Sequence, residues 1–199
     1  MPTMIDSDRF ATARKAMVDS QLRTSGVNAP FVLERMGQVA REAFVPETAR
    51  AAAYMDRTVR LPGGGVLPPP VFHGMLLEEA RPRGEDVVLV VDGGSGYLPE
   101  LVRPMVTSVE TVAAADGAAG EVAGDGFSLL LIDGAVEHVP DALGATLEDG
   151  GRIVTGLFER GVARLATGRK VAGTVGLIAV GDTSIPRLGA FDKPKSWSF

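Results

Sequence analysis

Cysteine is absent from all 199 residues. That excludes disulfides, thiolate metal sites and cysteine nucleophiles, and it fits a reducing compartment. Histidine is scarce: the two residues, His73 and His138, stand in no His/Asp/Glu spacing that suits a metal. No window of about 18 apolar residues occurs, so no membrane span is expected. The N-terminal "MPTMIDSDRFATARKAM" lacks the apolar core of a secretory signal, and a cytoplasmic protein is the simplest expectation. There is no Lys/Arg run, and the net charge of −5 argues against nucleic acid, whose partners need a basic face. What remains, 45% hydrophobic and 23% charged residues, is the composition of a globular protein able to bury a core.

The first 80 residues read as helical. "SDRFATARKAMVDSQLRT" places Phe10, Ala13, Met17 and Leu22 at roughly helical spacing, with Ser7 or Asp8 as cap and Gly26 as stop. "NAPFVLERMGQV" predicts a second helix, with Asn28 as cap and Pro30 in its first turn. "REAFVPETARAAAYMD" reads as a loop and a short helix. "LPGGGVLPPPVFHGM" is the strongest breaker in the chain, and a helix from about Phe72 to Ala80 should follow it.

From residue 87 the texture changes. "VVLVV", "SVETV", "SLLLID" and "RIVTGLF" are strand candidates, followed by 162–171 and "TVGLIAV"; "YLPELVRPM" and "VPDALGATL" are helices between some of them. Unbroken apolar strands with helical crossovers predict a mostly parallel sheet covered on both faces. The last three strands follow one another without a helix, which predicts an antiparallel edge. The tail "SIPRLGAFDKPKSWSF" has little periodicity and is expected to pack across the surface, with Trp197 and Phe199 buried on this domain. The whole chain is thus expected to be one domain, with a helical segment (1–80) before an α/β core (81–199).

The most informative stretch is "VVLVVDGGSGYLPELV", residues 87–102: an apolar strand, a glycine-rich turn, then a helix. Glycine lets such a turn approach a cofactor closely, because it has no Cβ and tolerates positive φ. Pro99 stands where a dinucleotide fingerprint needs its third glycine.

Read in order, "MVDSQLRTSGV", "VAREAFVPE", "AAYMDRTVRL", "GGGVLPPPVFHGML", "VVLVVDGGSGY" and "GGRIV" resemble the protein-L-isoaspartate O-methyltransferases. The resemblance spans essentially the whole chain, its C-terminal half mainly in pattern. It implies a Rossmann-like α/β fold that binds S-adenosyl-L-methionine (SAM) and methylates the abnormal carboxylate of isoaspartyl residues in damaged polypeptides. Such a transfer depends mainly on alignment of donor and acceptor. By the same resemblance the cofactor site comprises Asp92, Gly93, Gly94, Ser95, Gly96, Tyr97, Glu110 and Asp133. Glu110 falls at the family's ribose-binding acid, and Asp133 at a carboxyl strand end, where ligands of such sheets bind.

Three departures bear on that site. The family's turn reads roughly acid-x-Gly-x-Gly-x-Gly-Tyr; here Val90 replaces the acid and Asp92 the first glycine. Asp92 would oppose the cofactor's carboxylate or, in the alternative reading, bind its ammonium. The family's Thr-x-Ser-x-Pro acceptor signature, aligned on Pro70, becomes Val66 and Pro68, which have no side-chain donor. Between Glu110 and "GFSLLLID" only "TVAAADGAAGEVAGD" remains, roughly 30 residues less than the fold usually has, a parallel crossover alone taking about a dozen. The third strand and its helix are therefore expected to be missing, and "GDG" at 124–126 to be a simple turn.

Three functions stay open: a family member with weakened or lost SAM binding and catalysis, an active SAM-dependent methyltransferase acting on a protein or peptide, or a structural homo-oligomer paired through the exposed "SVETV" edge. His73 is expected to be a structural hydrogen-bonder rather than a base. Glu137 and His138 are expected in a solvated loop rather than facing a pocket.

Overall fold

The computed structural model describes residues 4–194; Trp197 and Phe199 lie outside them. The N-terminal segment is helical, as the spacing predicts. α1 (Met4–Met17) runs on through one π turn and one 3-10 turn to Gly26, whose φ of 90° ends it. α2 (Pro30–Gln38) has Pro30 in its first turn, but the residue at its cap is Ala29 and not Asn28. Asn28 instead bonds the Gly26 carbonyl through its amide. A distant carboxylate does the capping: Glu78 Oε1 accepts the backbone N–H groups of Asn28 (3.1 Å) and Ala29 (2.8 Å). Two 3-10 turns follow, Arg41–Phe44 and Glu47–Ala52. The Gly/Pro breaker forms a small hairpin, β1 (Val59–Arg60) against β2 (Val66–Leu67), and α3 (Pro70–Ala80) starts directly after it.

Six strands then form one sheet: β3 (Val87–Asp92), β4 (Ser108–Ala113), β5 (Phe127–Val136), β6 (Leu147–Glu159), β7 (Val162–Val171) and β8 (Thr174–Asp182). Their order is β4-β3-β5-β6-β7-β8. The first four are mutually parallel; β6, β7 and β8 are antiparallel neighbours. Among the described residues nothing pairs outside β4, so the sheet ends where the shortened sequence predicts. The crossover from β4 to β5 does keep a short helix, α5 (Ala114–Ala119), where the shortened sequence predicts none. Its alanines and glycines lack the apolar stripe that marks longer helices. Residues 124–126 beyond it are exposed, and Gly124 and Gly126 have positive φ, as a turn requires.

Alternation along the strands divides the core in two. Val88, Val90, Leu129 and Leu131 face the N-terminal segment, α3 and α4 (Tyr97–Val102). Leu89, Val91, Leu130 and Ile132 face a second cluster with Leu143 of α6 (Asp141–Ala145) and the tail residues Leu188 and Phe191. The tail thus contributes to the core: Ala135 N–H bonds the Pro186 carbonyl and Leu188 N–H bonds the Ala135 carbonyl, both at 2.8 Å.

α5 can cover the β3–β4 end of the sheet only by lying very close to it. A Cβ on Gly117 would stand 3.1 Å and 3.2 Å from the Val91 methyls and 3.4 Å from one of Val112. Gly117→Val should therefore lift α5 and cost about 1–3 kcal/mol, as overpacking does. A lowered urea midpoint at unchanged slope would report it; an unchanged midpoint would mean that α5 does not depend on this contact.

Candidate functional site

Asp133 lies on β5 two and four residues past Leu131 and Leu129, so the alternation that turns those leucines toward α3 turns Asp133 the same way. It meets His73, a buried residue of α3: His73 Nε2 and Asp133 Oδ1 are 2.7 Å apart. The other ring nitrogen, Nδ1, is 3.0 Å from Arg41 Nη1, and the remaining guanidinium donors bond the Ala53 and Pro68 carbonyls. A guanidinium only donates, so Nδ1 accepts and Nε2–H donates to the carboxylate. The result is a neutral imidazole between a cation and an anion, all three side chains wholly buried. Arg41 also lies 4.8 Å over the ring of Tyr97, which in turn packs edge-on against His73 and Phe44. Two buried atoms in this cluster have no protein partner, Tyr97 Oη and Asp133 Oδ2.

Arg41 escaped the sequence reading. The available signal was an aspartate ending the apolar run "LLLI" of "SLLLID", together with an arginine in "VAREAFVPE". Each is costly to bury alone, and they compensate each other through His73.

The glycine turn adjoins this network. One step beyond the Val91–Ile132 pair, Asp92 and Asp133 sit on neighbouring strands and the same face. Asp92 does not reach the cation. Its carboxylate folds back on its own turn, accepting Gly94 N–H at 3.0 Å and Gly96 N–H at 3.1 Å. Burial, and then the negative Asp133, hold its pKa above the ordinary carboxylate value. Gly94 (φ 104°) and Gly96 (φ 70°) keep the left-handed conformations expected of the turn, and the Ser95 hydroxyl accepts Tyr97 N–H. The β1–β2 hairpin presses on the turn: Val66 N–H bonds the Gly93 carbonyl at 2.8 Å, and a Cβ on Gly94 would stand 2.9 Å from Gly65 Cα.

The structure therefore brings together Asp92, Gly93, Gly94, Ser95, Gly96, Tyr97 and Asp133, with Val66 and Pro68 beside them. Glu110 is set apart. It pairs with Leu89, three positions before the Asp92–Ala113 pair, about 10 Å back along the strand, and its side chain is exposed. Glu137 and His138 secure the tail: Glu137 binds Arg187 and Lys193 N–H, and His138 Nδ1 meets the Phe191 carbonyl. Among the described residues no group of three or more acidic or histidine side chains could hold a metal, and no helix is long and apolar enough to cross a membrane.

Comparison with known proteins agrees with this architecture. The family model described as protein-L-isoaspartate(D-aspartate) O-methyltransferase matches residues 12–114. A protein-L-isoaspartate O-methyltransferase 1 of Rhodopseudomonas palustris (strain HaA2) is 32% identical over 177 residues, covering 77% of this chain and 72% of the relative. One from Koribacter versatilis is 29% identical, covering 92% and 94%. Among solved structures, that of a Plasmodium falciparum protein-L-isoaspartate O-methyltransferase in complex with S-adenosyl-L-homocysteine superposes with a TM-score of 0.68 at 16% identity. It covers 89% of this chain and 98% of that one.

The network has a pH signature. Burial, then the neighbouring Arg41 cation, lower the His73 pKa below its ordinary 6.5, with Asp133 opposing. An imidazole harder to protonate in the folded state leaves the unfolded chain binding more protons as pH falls. Its stabilisation is thus complete above about pH 6.5 and lost on acidification below it, by up to about 1.4 kcal/mol per pH unit. Urea unfolding at pH 7.5 and 5.5 should show this slope in the wild type and a shallower one in His73→Gln. Equal slopes would remove His73 as its origin.

Proposed function

We propose that this chain, which belongs to the protein-L-isoaspartate O-methyltransferase family, is a member in which SAM binding and isoaspartyl methylation are weakened or lost. The observation that carries this reading is the Asp92 carboxylate seated on Gly94 and Gly96 N–H. Backbone donors of a glycine turn are what an incoming anion would use. Here they are taken by the turn's own side chain. A ligand bringing a carboxylate to this place would lose those donors and face Asp92. Two like charges about 4 Å apart repel by roughly 1–4 kcal/mol between water and protein-surface dielectric. So seated, Asp92 weakens the turn's fit to the carboxylate of SAM.

The acceptor side supports the same reading. Val66 and Pro68 have no side-chain donor, the Val66 N–H is held by Gly93, and the Pro68 carbonyl is held by Arg41. An acceptor carboxylate there would lack charge-assisted hydrogen bonds, each worth about 1.5–3 kcal/mol. Glu110, on the edge strand, is left to reach a ribose from a distance.

A second reading, an active SAM-dependent methyltransferase acting on a protein or peptide, is favoured by one feature. Gly94 and Gly96 keep their left-handed backbone, and a Cβ direction from Gly96 meets only open space, so the turn retains the family's shape if Asp92 swings away.

Titration calorimetry with SAM and S-adenosylhomocysteine, followed by an isoaspartyl-peptide methylation assay, separates the two. The first reading expects no heat at millimolar nucleoside and no shift in melting temperature. Micromolar binding, near −8 kcal/mol, with peptide methylation would establish the second. Asp92→Gly frees both donors and removes the charge, so it should tighten SAM binding at least about 10-fold, the equivalent of 1.4 kcal/mol. Unchanged affinity would absolve Asp92.

A further inference from the structure

Among the described residues the sheet has two free edges, β4 and β8, and they differ in kind. β4 is six residues long and has Glu110 near its middle. β8 is nine residues long and has no charged side chain before Asp182 at its end. Edge strands are ordinarily blunted by charges, proline or bulges, because a row of unpaired backbone groups invites another strand. β8 has one such device, a register shift opposite Leu165–Ala166 that leaves Val180 as the extra residue. Thr174–Ala179 is regular and uncharged.

The sheet face beside this edge is uncovered. α3 ends at Ala80, and beyond it lies a cavity of about 710 Å³ lined by Val154, Thr167, Val171 and Ile178 and by the charged Glu79, Arg152 and Arg169. Of the six large hydrophobic residues exposed in the described structure, four belong to this hairpin, Val162, Val171, Ile178 and Val180. Val171 is 66% and Ile178 67% exposed. Exposed apolar groups concentrated at one sheet edge mark a contact surface, whereas scattered ones do not.

We propose that β8 is the contact through which two copies of this chain associate, antiparallel within Thr174–Ala179 about a two-fold axis, joining the two sheets into one. Electrostatics favours a second copy as the occupant. Self-pairing about a two-fold sets a strand against its own reverse, so any charge near the centre meets its like, which destabilises a cross-strand pair. Thr174–Ala179 has no charge to repeat. β4, where the sequence reading placed the contact, would bring Glu110 beside its copy. Asp182 stands past the bulge and is already paired with Arg164 at 2.9 Å. The two-fold contact is closed, since each copy covers the other's β8 edge and no further copy can add there.

Sedimentation velocity of the full chain at up to about 100 µM, where a protomer-concentration dependence is visible, tests this with two variants. The wild type and Thr111→Lys, a change on the β4 edge, should sediment as dimers. Ile178→Lys, which places a charge near the centre of the contact, should weaken the dimer at least 10-fold. If Ile178→Lys fails to fold by circular dichroism, Thr174→Lys serves with the same expectation. A wild type that stays monomeric, a species that grows beyond a dimer, or a dimer broken by Thr111→Lys and indifferent to the β8 changes would each overturn the proposal.

Discussion

A buried guanidinium requires a buried counter-charge, and most of what is particular to this structure follows from how that requirement is met. Arg41 comes from the N-terminal segment, Asp133 from the end of a central strand, and His73 of α3 stands between them. Removing one member of such a set strands the others in a low-dielectric interior at a cost of roughly 3–5 kcal/mol. The three elements are therefore fixed relative to one another more tightly than apolar packing alone would fix them. Hydrophobic contacts tolerate sliding; a hydrogen-bonded charge relay has one arrangement.

That arrangement constrains the glycine turn. Asp92 and Asp133 are neighbours on one face, and the buried Arg41 cation nearby bonds His73, Ala53 and Pro68 rather than Asp92. Asp92 accepts instead from the N–H groups of its own turn. Its raised pKa records how incompletely they compensate for burial and the second carboxylate. The closed turn and the buried relay are thus two consequences of one distribution of charge. A glycine in place of Asp92 would leave the relay unchanged and the turn open.

β3 and β5 were readable from sequence because they are covered on both faces: "VVLVV" and "LLLI" are unbroken apolar runs. The absent third strand was readable from length alone. What escaped has long-range partners. The cap of α2 is Glu78, some fifty residues away, so a search for Ser, Thr, Asp or Asn before Pro30 settled on Asn28. α5 is six residues of alanine, glycine and aspartate with no periodicity, held by closeness to Val91 and Val112. Arg41 sat in a motif whose partner lies on another strand. The turn's residues were found by resemblance, while the folding back of Asp92 is a matter of geometry that no spacing encodes.

The short crossover leaves β4 at the edge of the sheet, and β4 is built for exposure. Ser108, Glu110, Thr111 and Ala113 are its exposed positions, and only Val109 and Val112 pack inward, one to each core. A strand buried between two neighbours reads like β3 or β5. β4 does not, and its one charge stands where it discourages a further strand. The sequence of β4 therefore suits an edge, and the small residues of α5 let so short a crossover still cover the sheet. The opposite edge has no such charge over Thr174–Ala179. This contrast between a guarded edge and an unguarded one distinguishes a sheet terminus that faces water from one that faces a partner.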